Sequence, residues 1–231
     1  MNLSSIEEAI LALKDGRFVL VHDEAGREDE IDIVIAAEKV TPHHIATLRR
    51  VAGGLICIAV GNEIAAKLGL VFMHDMMQDF SRINPIFNRL AFGKAPYGDM
   101  PSFSISVNHR STRTGITDMD RAVTIRKMSE VCKRINSTGV EDFSTNFRSP
   151  GHVPILIASE KLLAGRAGHT ELCIHLMNMA ELAPAVTVCE MLDSKTYKAL
   201  SIDKALMYAG KNNIPLLESN QIRSYVYQNV N

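Results

Sequence analysis

The chain has 231 residues, 46% of them hydrophobic and 22% charged, which is enough to bury a substantial core without disulfides or a structural metal. A formal net charge of −1 excludes a field over the whole molecule that would draw in nucleic acid or an anionic membrane, so an anionic ligand has to be captured locally. No stretch reaches the ~18 apolar residues of a membrane span and no secretory pattern opens the chain. The four cysteines (Cys57, Cys132, Cys173 and Cys189) form no CxxC pair, so they read as reduced core residues of a soluble, unprocessed, cytoplasmic protein.

In chain order, Ser5-Ile6-Glu7-Glu8 is a capping box that predicts a first helix ending at Gly16. Phe18 to His22 reads as a buried strand, and Thr41-Pro42 opens a second helix that stops at Gly53-Gly54. Leu55 to Val60 is a short β-rich run that predicts a central strand. Met73 to Pro101 has no clear period and suits a lid or a long surface excursion. Phe103 to Val107 alternates with serines as a half-buried strand would, and a helix follows from Asp118 towards Lys133, with Thr117 and Asp120 at capping-box spacing. Val153 to Ala158, Thr170 to Leu182 and Val186 to Cys189 read as strand, helix and strand, and helices near Ile202–Lys211 and Ser219–Tyr227 close the chain. The absence of a regular βαβ rhythm predicts an α+β fold over residues 1–231, a mixed β-sheet layered with helices in one domain.

Two motifs carry chemistry. In "GREDEIDIVIAAE", an extended Glu30 to Ala36 puts Ile31, Ile33 and Ile35 on one face and Glu28, Glu30 and Asp32 on the other, same-side residues being roughly 6.5–7 Å apart. Such oxygens, beside Arg27, suit Mg²⁺ or Mn²⁺, although a solvated acidic hairpin rim fits the same residues. "GRAGHTE", Gly165 to Glu171, sets Arg166, Thr170 and the backbone of Ala167 and Gly168 at a helix N-terminus, where exposed N–H groups and the helix dipole favour phosphate. A plain N-cap loop is the alternative; zinc on His169 and Cys173 lacks further ligands. Weaker pieces are His152 in a Pro-Gly turn before a strand, Thr114 in "TRTGITDMDR" where capping explains most, and Glu190 at the end of an apolar strand.

In this order, "REDEID", "GGLIC", "TGITDMDR", "RSPGHV", "GRAGHTE" and "VCEM" closely resemble 3,4-dihydroxy-2-butanone 4-phosphate synthases over about Ile6 to Tyr227. The segment between Cys57 and Phe103 resembles the archaeal type, without a fused GTP cyclohydrolase II domain. The resemblance implies conversion of D-ribulose 5-phosphate to L-3,4-dihydroxy-2-butanone 4-phosphate and formate by an α-β sandwich. It further implies a homodimer with two Mg²⁺ (or Mn²⁺) ions per active site and no nucleic-acid or membrane partner. It places metal ligands on Glu28 and His169. Substrate contacts fall on Arg27, Glu28, Asp32, Thr114, Arg166, Ala167, Gly168, His169, Thr170 and Glu190, and proton transfer on His152, Glu190, Asp32 and Glu30. Ile31 and Ala25 depart from the family pattern beside Arg27. A metal-dependent sugar-phosphate isomerase and a non-catalytic phosphometabolite-binding module are the rival functions.

Overall fold

The computed structural model describes residues 3–91 and 93–229. Helix α1 (Ile6–Lys14) starts where Ser5 accepts the Glu8 N–H and the Glu8 carboxylate accepts the Ser5 N–H, and the chain turns at Gly16 with φ +72°. Strands β1 (Val19–His22) and β2 (Ile31–Ala36) form an antiparallel pair, and α2 (Pro42–Val51) follows the Thr41 cap with proline at its first position. Strand β3 (Cys57–Val60), α3 (Asn62–Lys67) and the short helices α4 (Met73–Phe80) and α5 (Ile86–Leu90) come next. After them lie β4 (Phe103–His109), α6 (Asp118–Lys133), α7 (Gly139–Asn146) and β5 (Phe147–Ile157). The last third comprises α8 (His169–Met179), β6 (Ala185–Glu190), the β7 (Leu192–Asp193) and β8 (Lys198–Ala199) hairpin, α9 (Ile202–Asn212), β9 (Leu216–Glu218) and α10 (Ser219–Asn229).

Among the described residues, seven strands make one mixed sheet in the order β4-β5-β3-β6-β2-β1-β9, in which β3/β5 and β1/β9 are parallel and the other pairs antiparallel. Alternate residues feed two cores. Ile33, Ile58 and Ile155 pack with α2 and α6 on one side, while Val34, Ala59 and Val186 pack with α1 and α8 on the other. The result is an α+β fold with helices on both faces of a mixed sheet, as the element pattern predicts. No helix among the described residues is long and apolar enough to cross a membrane.

Two sequence expectations need correction. Asp29 has φ +53°, which breaks the extended run, so Glu28 and Glu30 lie in the β1–β2 loop and only Asp32 belongs to the strand. The Pro-Gly turn expected before Val153 is the first half of β5, continuous from Phe147. It pairs with β4 through register shifts, and a Cβ on Gly151 would sit 1.9 Å from the Val107 carbonyl carbon, so glycine is what lets the two backbones approach.

The fold gathers the functional motifs at one end of the sheet. β1, β4 and β6 finish there, β2, β3 and β5 start there, and the N-terminus of α8 points to the same end.

Candidate active site

The β1–β2 loop is shaped by Asp23, a buried carboxylate just past β1. It accepts the backbone N–H groups of Glu28 (3.1 Å) and Glu30 (3.0 Å) and the Arg27 Nη1 at 2.9 Å. Glu28 is thereby turned inward: its Oε2 lies 2.8 Å from Arg27 Nη1 and 3.2 Å from His169 Nδ1, and its Oε1 accepts the Tyr97 hydroxyl at 2.7 Å. Burial would raise the Glu28 carboxyl, but His169, Tyr97 and Arg27 outweigh it and hold it well below the usual range.

His169, the first residue of α8, has its other ring nitrogen 3.2 Å from the Glu30 carbonyl and 4.0 Å from Asp32 Oδ1. That Asp32 oxygen is buried and has no hydrogen-bond partner among the described residues. Glu190 ends β6 directly opposite Asp32, and its Oε2 accepts the Leu55 N–H at 2.7 Å. A Cβ on Gly54 would come within 2.4 Å of that Oε2, so the second glycine of "GGLIC" makes room for the carboxylate. Burial, aided by Glu190, Glu28 and Glu30 against His169, pushes Asp32 up to about 7. Burial works against the His169 charge, yet Asp32, Glu28 and Asp23 raise it to about 9. Glu30 is raised by burial and by Glu28 and Glu190.

Asp23, Glu28 and His169 each offer a ligand atom within 4.8 Å of the others. Carboxylate oxygens and one imidazole, with the free Asp32 oxygen beside them, fit a hard divalent cation such as Mg²⁺ or Mn²⁺.

A cationic clamp adjoins this cluster. Glu171 is fully buried; it accepts from Ser159 N (2.8 Å), Arg166 Nη1 (3.0 Å) and the N–H of Gly168 (3.3 Å), which fixes Arg166 at the start of α8. Arg166 also donates to Ser102 Oγ, to which the Thr170 hydroxyl donates at 3.3 Å. A Cβ on Gly168 would meet Arg27 Nη2 at 2.7 Å and the Arg166 guanidinium at 3.0 Å, so both cations press against a bare Cα. Arg27 Nη2 and Arg166 Nε are buried without a hydrogen-bond partner among the described residues, while Asp99 reaches from the excursion before β4 to hydrogen-bond Arg27 Nε (2.9 Å) and to pair by charge with Arg166 Nε (3.6 Å). Guanidinium edges held this way suit a phosphate.

The family model for 3,4-dihydroxy-2-butanone 4-phosphate synthase matches residues 7–225. The chain belongs to the 3,4-dihydroxy-2-butanone 4-phosphate synthase family. It is 43% identical to the synthase of Methanothermobacter thermautotrophicus over 96% of both chains, and 45% identical to that of Archaeoglobus fulgidus over 94% of this chain and 91% of the relative. It superposes on a crystal structure of a 3,4-dihydroxy-2-butanone 4-phosphate synthase in complex with two magnesium ions with a TM-score of 0.79, at 27% identity over 98% of each chain.

In this synthase-family chain the residues singled out from the sequence fall into two groups. Arg27, Glu28, Glu30, Asp32, Arg166, Gly168, His169, Thr170 and Glu190 surround one place, and Ala167 packs against the α1–α8 core beside it. Thr114 and His152 are joined instead through Asn108 on the β4–β5 pair. Extending the Ile58↔Ile155 register by three residues sets His152 level with Leu55 (155 − 3 and 58 − 3), two strands from Glu190, or roughly 10 Å between backbones. Of the two family departures, Ile31 is a core residue whose carbonyl accepts from Met191 N, and Ala25 is exposed. Cys173 is buried in the α1–α8 core, and the possible metal ligands that gather with His169 among the described residues are Asp23 and Glu28, which disfavours the zinc alternative. Sequence reasoning missed Asp23, Tyr97, Asp99, Asn108 and Glu171 as site residues. Glu171 stood in a quoted motif and at capping-box spacing from Gly168; Tyr97 and Asp99 had no local signal.

Proposed function

We propose that this chain is the riboflavin-branch lyase that converts D-ribulose 5-phosphate to L-3,4-dihydroxy-2-butanone 4-phosphate and formate. The observation that carries the reading is the meeting of Glu28 and His169, 141 residues apart, at 3.2 Å beside two guanidiniums that each bear an N–H without a hydrogen-bond partner among the described residues. Arg27, Arg166 and Thr170, with the backbone of Ala167 and Gly168 and with Thr114, hold the phosphate and so fix the sugar chain against the carboxylates. Asp32, raised towards neutrality, is poised to exchange a proton with the substrate, Glu30 and Glu190 serve the further proton transfers, and His152 meets the substrate through its ring. Glu28 and His169 would hold the divalent cations, which supply positive charge against the negative charge that develops on substrate oxygens. Water exclusion falls to Tyr97, whose ring lies over Arg27 and whose hydroxyl donates to Glu28.

The working unit is a homodimer. Its support is the position of Thr114 and His152 apart from the carboxylates, together with the exposed apolar side chains of Leu55, Ile116 and Met119 that flank both groups. Its four buried thiols suit a reducing cytoplasm.

Incubation with ribulose 5-phosphate and Mg²⁺ is expected to release formate, and EDTA to stop it. Glu28→Gln is expected to lower kcat at least ~10²-fold while circular dichroism stays unchanged. An isomerase would conserve carbon number and release no formate; a binding module would take phosphate ligands equally with and without Mg²⁺. Either result removes the lyase reading.

A further inference from the structure

Asn108 lies near the end of β4, almost completely buried, and its amide is used to the last hydrogen. Its Oδ1 accepts the His152 backbone N–H at 2.8 Å, and its Nδ2 donates to the Thr114 carbonyl at 3.3 Å. One partner can only donate and the other only accept, so these two bonds fix which end of the amide is oxygen and which is nitrogen. The second Nδ2 hydrogen then faces His152 Nδ1, 3.1 Å away, whereas Oδ1 is 3.4 Å from the same ring nitrogen and already engaged. A donor facing Nδ1 requires a lone pair there, and a neutral imidazole with a lone pair on Nδ1 carries its proton on Nε2.

The amide cannot rotate away from this arrangement. Gly115, at φ +91°, closes over it so tightly that a Cβ there would lie 2.1 Å from Nδ2. That places the glycine of "TGITDMDR" as the cover of Asn108, and it joins three separate motifs, the end of β4, the Thr114 turn and the "RSPGHV" strand, in one hydrogen-bonded unit.

We propose that Asn108 is a positioning residue that holds His152 in its Nε2–H tautomer, so that the imidazole meets the substrate as a hydrogen-bond donor rather than as a base at Nε2. The inference rests on the reading above that His152 serves the lyase reaction. A neutral imidazole N–H placed against a developing oxyanion stabilises it without itself having to ionise. Serving as a base at Nε2 would need the proton on Nδ1, where the longer, already occupied Oδ1 is the sole acceptor the amide offers.

The test combines a spectroscopic and a kinetic readout on the full chain. With ¹⁵N-labelled histidine, and His152 assigned by its loss in His152→Gln, two-bond ¹⁵N–¹H correlations are expected to show Nδ1 bare and Nε2 protonated in the neutral ring. Asn108→Asp, which offers Nδ1 only acceptors, is expected to switch the proton to Nδ1 and to lower kcat about 10²-fold. Asn108→Leu is expected to leave the two tautomers in exchange, with thermal unfolding reporting any loss of fold separately. His152→Gln, which keeps an amide N–H near the Nε2 position, should retain about tenfold more kcat than His152→Leu. A wild-type ring protonated on Nδ1, or an Asn108→Asp ring still protonated on Nε2, overturns the assignment. Equal kcat in His152→Gln and His152→Leu overturns the donor role. Absence of formate from the wild type would instead remove the lyase reading and leave the tautomer measurement to stand by itself.

Discussion

Gly168 measures how close the two guanidiniums come to the start of α8. Gly168→Ala puts a methyl where Arg27 Nη2 now lies, at 2.7 Å, and displaces the clamp without touching either core. The expected outcome is a fall in kcat/KM of about 10²-fold, the scale of a misplacement near 1 Å, with unfolding temperature nearly unchanged. His169 carries a prediction with a definite sign. Its imidazolium is sustained to about 9 by neighbouring carboxylates, and a cation on the same ring needs the neutral form. Mg²⁺ affinity should therefore rise with pH, about tenfold per unit between pH 7 and 9, and level off above that. Calorimetry in buffers of different ionisation enthalpy should show one proton released; a pH-independent affinity would exclude His169 as a ligand. The convergence of these residues was partly legible in the sequence, because "REDEID" and "GRAGHTE" put charge and glycine where a solvated loop has little need of them. Asp23 and Asn108 were not, since a single Asp or Asn beside a strand looks like ordinary turn chemistry until its backbone partners are known.

Among the elements, the excursion through α4 and α5 is the least conventional. Neither helix buries a residue; contacts such as the edge-on Phe80–Phe87 ring pair, 5.1 Å between centroids, hold them to each other. Its tip brings Asp99 onto Arg27 and Arg166, so a carboxylate of the chain itself sits where the proposed phosphate would. Asp99→Asn removes that competitor, and inorganic phosphate is expected to bind several-fold more tightly, read by calorimetry; weaker binding would mean that Asp99 organises the clamp instead. Helix starts were the easiest elements to read, because the caps at Ser5, Thr41 and Thr117 are local devices that the structure reproduces. The helices of the excursion, α7 and β9 were missed because they are short, and α4 and α5 bury no residue completely. The first half of β5 was misread because Pro-Gly signals a turn unless a neighbouring strand is known to press against it.

At the scale of the molecule, burial on both faces of the sheet makes its central strands intolerant of lost volume. Ile33→Ala, in a fully buried β2 position, should cost ~2–5 kcal/mol in urea unfolding. The same burial raises the thiols of Cys132 and Cys189 to about 12, so iodoacetamide at pH 8 should label the native protein slowly and the denatured protein at all four cysteines. The mixed sheet was legible in outline from the irregular alternation of strands and helices, but its strand order was not, because partners such as β1 and β9 lie too far apart in sequence for any local pattern to link them. That pairing has a consequence for biosynthesis. Leu20 meets Leu216, 196 positions later (216 − 20), and Ser4 N donates to the Leu216 carbonyl. A ribosome must therefore deliver residue 216 of 231 before the outer rim of β1 finds its cover, and until then the nascent polypeptide carries a ready template for pairing with its neighbours. Shortening the chain to residue 213 should leave that rim permanently bare and send the product into inclusion bodies.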